Sequence, residues 1–297
     1  MPSPEANAVI DMYLQYRMEN DAPGRTHEEL RVMSDQIFEN QPPALDAEVQ
    51  PAELGGVATE RTVASGADAE RVVVYVHGGG YICGSARNQR KFLAELSRRA
   101  GAEVHAVEYR LAPEHPFPAA VDDVVAAYEG AIAAANGRPV VVGGDSAGGG
   151  LAIGSVVEMR RRGMQLPAAM FALSPWADMT LTGDAISSNA NADVMVRFED
   201  LKVMRECYVG RGDAAHPAAS PALADLTGMP PLLVHVGSDE ILAGDAAALV
   251  DAARKAGVDA QLHSADGMFH IYPVLAPDLP ESQAAISSLA QFIRSAG

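Results

Sequence analysis

The chain has 297 residues, 48% of them hydrophobic and 21% charged, and 22 basic against 39 acidic side chains give a formal net charge of −17. That length suits one large α/β domain or two small ones and is ample for a full core. The acidic balance makes nucleic-acid phosphates and anionic membrane surfaces poor partners, and solubility is its simplest reading. Two cysteines, Cys83 and Cys207, are too few for a disulfide framework.

The first forty residues read as two helices. Ile10, Tyr13, Leu14 and Met18 recur at helical spacing, and Thr26 with Glu29 has the form of a capping box. "NQPPAL" then breaks the pattern. Beyond it the chain alternates. "RVVVYVH" reads as a buried strand, Phe92 to Arg99 as a helix, "AEVHAVEY" as a strand and "PAAVDDVVAAYEGAIAAA" as a helix opened by proline. "RPVVVGG" is a strand, "AGGGLAIGSVVEMRRRG" a helix closed by glycine, and "AAMFALSP" a strand. After an irregular stretch from about Thr180 to Leu226 come the strand "PPLLVHVG", the helix "GDAAALVDAARKAG", the strand "DAQLHSA" and the last helix "ESQAAISSLAQFIRSA". This alternation, with near-continuous apolar strands, predicts an α/β fold with a mainly parallel sheet covered by helices on both faces. The irregular stretch is long enough to be an insertion with a role of its own, such as a lid. The N-terminus lacks a basic segment followed by an apolar one, and no apolar run reaches membrane-spanning length, so a cytoplasmic chain that avoids membranes is expected.

Ser146 lies in "VVVGGDSAGGG", between a strand and a helix. A G-x-S-x-G turn at such a junction lifts a serine hydroxyl above the C-terminal edge of the sheet and points a helix N-terminus at it. A plain N-cap serine explains the motif alone about as well. Two further segments favour a nucleophile. "YVHGGGYICGS" follows a strand, and the N–H groups of Gly78 and Gly79, with that of Ala147, can form an oxyanion hole, each donor being worth about 3–4 kcal/mol in a transition state. His77 is expected to brace this loop. A dinucleotide loop is the rival reading of these glycines, but G-x-G-x-x-x-G misses the required spacing by one residue.

An acid and a histidine should then follow in that order. Asp239 lies just past a strand end in "LLVHVGSDEILAGD", and His270 lies in the loop after the last strand in "LHSADGMFHIYP". Glu240, Asp245 and Asp266 are rival acids, and Asp239 has the best placement. His27, His105, His115, His216, His235 and His263 read as core, strand or surface residues. No spacing resembles a zinc site, so neither metal nor cofactor is expected.

Taken together, "HGGGY", "YRLAPEHPFPAA", "GDSAGGGLA", "SPWADMT", "PPLLVHVGSDEIL" and "DGMFH" resemble the hormone-sensitive-lipase-like bacterial esterases of the α/β-hydrolase superfamily, in that family's order. The likeness runs from about Val72 to the C-terminus. It implies an α/β-hydrolase domain over residues 46–297, an N-terminal helical cap segment over 1–45 and a further cap insertion around 180–226. It implies Ser146 as nucleophile, Asp239 and His270 as its partners, and Gly78, Gly79 and Ala147 as oxyanion donors. The expected activity is hydrolysis of short- to medium-chain carboxylic esters through an acyl-serine, with small soluble esters as partners and a homodimer left open. The same triad acting on amides, carbamates or lactones is one alternative. A non-catalytic small-molecule receptor on the same fold is another, and the presence of His270 speaks against it.

Overall fold

A computed structural model describes residues 1–19, 25–39 and 46–297. The break expected at "NQPPAL" lies outside the described residues. Helix α1 (Pro4–Glu19) is followed by α2 (His27–Glu39). The start of α2 carries the expected capping box: the Thr26 N–H donates to Glu29 Oε2 (2.8 Å) and the Glu29 N–H to Thr26 Oγ1 (3.3 Å).

Two strands not expected from the sequence come next, β1 (Ala47–Leu54) and β2 (Val57–Ala64), paired antiparallel. Gly55 and Gly56 join them in a two-residue turn with φ of 58° and 81°, a conformation that glycine adopts without strain. The Gly-Gly pair was the available signal for the turn. The remaining elements follow the expected order: β3 (Arg71–Val76), α3 (Arg90–Ala100), β4 (Ala102–Val107), α4 (Ala119–Ala134), β5 (Val140–Asp145), α5 (Ala147–Arg161) and β6 (Ala169–Leu173). The segment from 180 to 226 holds a short helix α6 (Ala185–Ser188), a longer one α7 (Phe198–Tyr208) and a 3₁₀ turn at Pro221–Leu223. Leu201, Met204 and Tyr208 repeat at helical spacing in α7, a signal obscured by the polar residues around it. Then come β7 (Leu232–Gly237), α8 (Ala243–Lys255), β8 (Ala260–Ala265), the single turn α9 (Tyr272–Leu275) and α10 (Pro280–Ser295).

The eight strands form one sheet in the order β1-β2-β4-β3-β5-β6-β7-β8. Both partners of β2 run antiparallel to it, and every pair from β4 to β8 is parallel. Alternate residues of β3 enter opposite cores. Val72, Val74 and Val76 pack with α4, α5 and α8, while Val73 and Tyr75 pack with α3 and α10. All five are at most 2% exposed, which is why this strand reads as a continuous apolar run. Each valine so buried contributes roughly 1.5–3 kcal/mol of transfer free energy. The parallel strands end on one edge of the sheet, where the loops after β3, β5, β7 and β8 converge. No helix among the described residues is long and apolar enough to cross a membrane.

Candidate active site

Ser146 occupies the sharp turn between β5 and α5, with φ 53° and ψ −125°, a left-handed conformation that a non-glycine residue rarely holds. Three main-chain bonds fix it: the Ser146 N–H donates to Leu173 O (2.8 Å), and Ser146 O accepts from Gly150 and Trp176 (3.1 and 3.0 Å). The flanking glycines are required by close approach. A Cβ on Gly144 would lie 2.2 Å from Val76 O, and one on Gly148 2.2 Å from Val76 O and 2.3 Å from His77 O. The glycine pattern therefore packs the elbow against the end of β3.

The His270 Nε2 is 2.8 Å from Ser146 Oγ, and its Nδ1 is 2.7 Å from Glu240 Oε2. The expectation that Asp239 partners His270 is corrected by this geometry. Asp239 is half-buried and its Oδ1 accepts from the neighbouring Ser238 hydroxyl (2.8 Å). The turn after β7 brings its third residue, not its second, beneath the imidazole, and the longer glutamate side chain spans the gap. Glu240 is fully buried. Its Oε1 accepts from Ser174 Oγ (2.7 Å) and from the Gly237 N–H (2.5 Å). Ser174 Oγ accepts in turn from the Ile271 N–H (3.0 Å), so one hydroxyl joins the acid's turn to the histidine's loop. Ser174 and Ile271 are also left-handed, at φ 49° and 47°. Glu240 was the nearest rival in the sequence, whereas Ser174 was read only as part of "SPWADMT", with no role of its own.

The other rival acids lie elsewhere. Asp245 accepts the N–H groups of Ala177 and Asp178 (3.0 and 2.9 Å), and burial raises its pKa to about 7. Asp266 is exposed and pairs with the N-terminal amine (3.0 Å). Burial works to lower the basicity of His270. The charge and hydrogen bond of Glu240, with the carboxylates of Asp193 and Asp145, outweigh it, so the imidazole is more basic than an ordinary histidine.

The loop after β3 lies beside the serine. His77 is buried, stacks on Tyr109 at 4.3 Å, and has its Nδ1 2.7 Å from Gly78 O, the bracing arrangement expected. Burial drops its pKa to about 4, so the ring is neutral. Gly78 is corrected as an oxyanion donor: its N–H already donates to Asp145 Oδ1 (3.0 Å). That same oxygen accepts from Tyr75 Oη (2.6 Å). The buried Asp145 thus holds the glycine loop to the elbow, a role its position before the serine did not reveal. Among the described residues, the N–H groups of Gly79, Gly80 and Ala147 make no hydrogen bond. Ala147 opens α5, where helix geometry leaves N–H groups unpaired.

A cavity of about 140 Å³ lies over Ser146 and His270. Leu30, Met33 and Ile37 of α2 and Leu201 and Met204 of α7 form much of its apolar wall. The Arg25–Asp200 ion pair (2.9 Å) joins the segment before α2 to α7. Arg31 anchors α2 to the body through Ile82 O (2.6 Å) and Ala112 O (2.9 Å). A larger groove of about 660 Å³ between α1, α2 and residues 275–279 has neither Ser146 nor His270 in its wall.

The sequence profile of a family with the α/β-hydrolase fold matches residues 73–274. An acetyl-hydrolase of Streptomyces hygroscopicus is 43% identical over 229 residues, 76% of each chain. An esterase of Acinetobacter venetianus is 30% identical, over 90% of this chain and 88% of its own. Among solved structures, an esterase from the bacterial hormone-sensitive lipase family is 41% identical with a TM-score of 0.92, covering 100% of this chain and 99% of its own. A mutant of the esterase E40 is also 41% identical with a TM-score of 0.92, covering 99% and 98%. The fold, the elbow and these matches agree, and the chain belongs to the hormone-sensitive-lipase-like esterases of the α/β-hydrolase family.

Proposed function

We propose that the chain hydrolyses carboxylic esters with Ser146 as nucleophile, His270 as general base and acid, and Glu240 as the orienting acid. One observation carries this reading. Ser146 Oγ, the His270 ring and Glu240 Oε2 form an unbroken relay of 2.8 and 2.7 Å at a strained strand-to-helix elbow. His270 Nε2 takes the hydroxyl proton as Oγ attacks the ester carbonyl carbon. The carbonyl oxygen gains negative charge and is held by main-chain N–H groups. His270 then returns the proton to the leaving alcohol, and the acyl group stays on Ser146. Water, deprotonated by His270, releases the acid and restores the serine. Glu240 keeps the proton on Nδ1 and stabilises the imidazolium.

Gly79, Gly80 and Ala147 are the donors that support an oxyanion hole, since the Gly78 N–H is engaged by Asp145. Residues 1–45 and about 180–226 serve as the cap over the hydrolase domain, a reading supported by the walls that α2 and α7 supply to the cavity. A cavity of about 140 Å³, below the roughly 300–1,000 Å³ common for drug-sized ligands, favours short acyl groups. The two cysteines are unbridged, which favours a reducing cytoplasm.

The test is turnover of a p-nitrophenyl ester series from two to twelve acyl carbons, with covalent labelling by an organophosphonate. The expected result is fastest release from the short esters and a single adduct on Ser146. A well-folded protein that turns over none of them, or an adduct elsewhere, would overturn the assignment.

A further inference from the structure

The cap insertion contains a buried acid that the mechanism above does not use. Asp193 is only 1% exposed. Its Oδ1 accepts the N–H groups of Met195 and Val196 (both 2.8 Å), and its Oδ2 accepts the N–H of Ile241 (2.9 Å), the residue after Glu240. Four residues earlier, Asn189 Nδ2 donates to Ser238 O (2.8 Å) and Glu240 O (2.9 Å). Residues 189–196 thus grip the turn that carries Glu240 by two of its carbonyls and one of its N–H groups. Met195 and Val196, held by the same carboxylate, line the cavity over Ser146.

We propose that Asp193 is a positioning residue, fastening the cap insertion to the acid's turn so that one carboxylate sets both the cavity wall and the Glu240–His270 pair. The inference rests on reading Ser146, Glu240 and His270 as the reacting group. A buried acid is costly unless its charge is compensated. Here every hydrogen-bond partner of Asp193 is a donor, which suits the ionised form and would leave a protonated one without an acceptor. Three carboxylates bear on the His270 imidazole: Glu240 from the turn after β7, Asp193 from the insertion, and Asp145 from the end of β5. Burial pushes the Asp193 carboxyl above the ordinary carboxylate range, while the His270 ring and the N–H groups of Val196 and Ile241 hold it down. In its ionised form Asp193 supports the imidazolium formed during turnover, as well as holding the turn.

Asp193→Asn keeps the side-chain shape, removes the charge and faces Ile241 with an amide. Its kcat/KM on p-nitrophenyl butyrate should fall at least about tenfold. The acid-side midpoint of its pH profile should move down by about half a unit, a threefold loss of proton affinity at His270. Asn189→Ala leaves every charge in place, so its rate should fall with the midpoint unmoved. An Asp193→Asn midpoint equal to that of the wild type would overturn the proposal whatever the rate, since a purely structural role would give that result. Should Asp193→Asn fail to fold, hydrogen exchange of Asn189→Ala decides. Faster exchange in both 189–197 and 236–242 supports the coupling, and faster exchange in 189–197 alone overturns it. Ser146→Ala and His270→Ala measured alongside separate this inference from its premise, because turnover surviving in either would defeat the triad instead.

Discussion

The elbow at residues 140–150 and the segment at 180–226 both line the same cavity, yet they are built differently. In the elbow every residue but Ser146 is buried, and position is set by main-chain bonds and by glycines in contact with neighbouring backbone. In the segment, position is set by polar side chains reaching backbone: Asn189 and Asp193 on the acid's turn, Asp178 on Thr180, Ser220 on Met179. The first kind of construction leaves no room for a methyl at Gly144, Gly148 or Gly150. The second allows the wall-lining residues to change while the anchors stay. On the proposed reading, the nucleophile sits in the first construction and much of the acyl-pocket wall in the second.

The sharpest way to break this division is Ser146→Ala. Turnover of p-nitrophenyl butyrate should fall roughly 10⁴- to 10⁶-fold, because members of such a relay act as a unit. Next, Glu240→Gln should cost about 10³- to 10⁴-fold in kcat by losing control of the imidazole tautomer, while Asp239→Asn should stay within about twofold. The reverse ranking would restore Asp239 as the acid. Gly148→Ala places a methyl against the carbonyls of Val76 and His77 and should lower stability by about 1–3 kcal/mol, or block folding, as read by denaturant melts. Fourth, His270 must be neutral to act as base and its pKa is raised above 6.5. The kcat/KM should therefore rise with pH, with a midpoint above 6.5 and at least about a tenfold drop by pH 5.5. A midpoint near 5 would contradict the field of three carboxylates. The smallest effect belongs to the adjustable side. Met204 lies against Gly80 in the cavity wall, so Met204→Ala should move the preferred acyl length upward by a few-fold in relative rate, with little change on the acetyl ester.

What could be read in advance follows the same division. The parallel strands were legible because burial on both faces makes them continuous apolar runs, as in "RVVVYV". Ser146 and His270, whose side chains meet at 2.8 Å, were singled out because each lies in a loop that follows a parallel strand at the site edge. The β1–β2 hairpin was missed because its outer strand is largely exposed and carries little apolar signal. The carboxylate that faces His270 lies one residue beyond the one expected, because the path of a tight turn depends on contacts from elsewhere in the chain. Here these are Ser174, Gly237 and the grip of Asn189 and Asp193. Gly78 was misassigned for a similar reason: its N–H was claimed by Asp145, sixty-seven residues away.

Three left-handed residues, Ser146, Ser174 and Ile271, meet around one imidazole, and two of them are tied to each other by a hydrogen bond. For a β-branched isoleucine that conformation is a marked outlier, and each such residue costs on the order of 1–3 kcal/mol. The surrounding core therefore keeps a loaded spring compressed, and selection for heat resistance alone would tend to release it at these positions first. Variants that gain melting temperature there should lose speed, so durability and catalytic power are expected to trade against each other at this one knot of backbone.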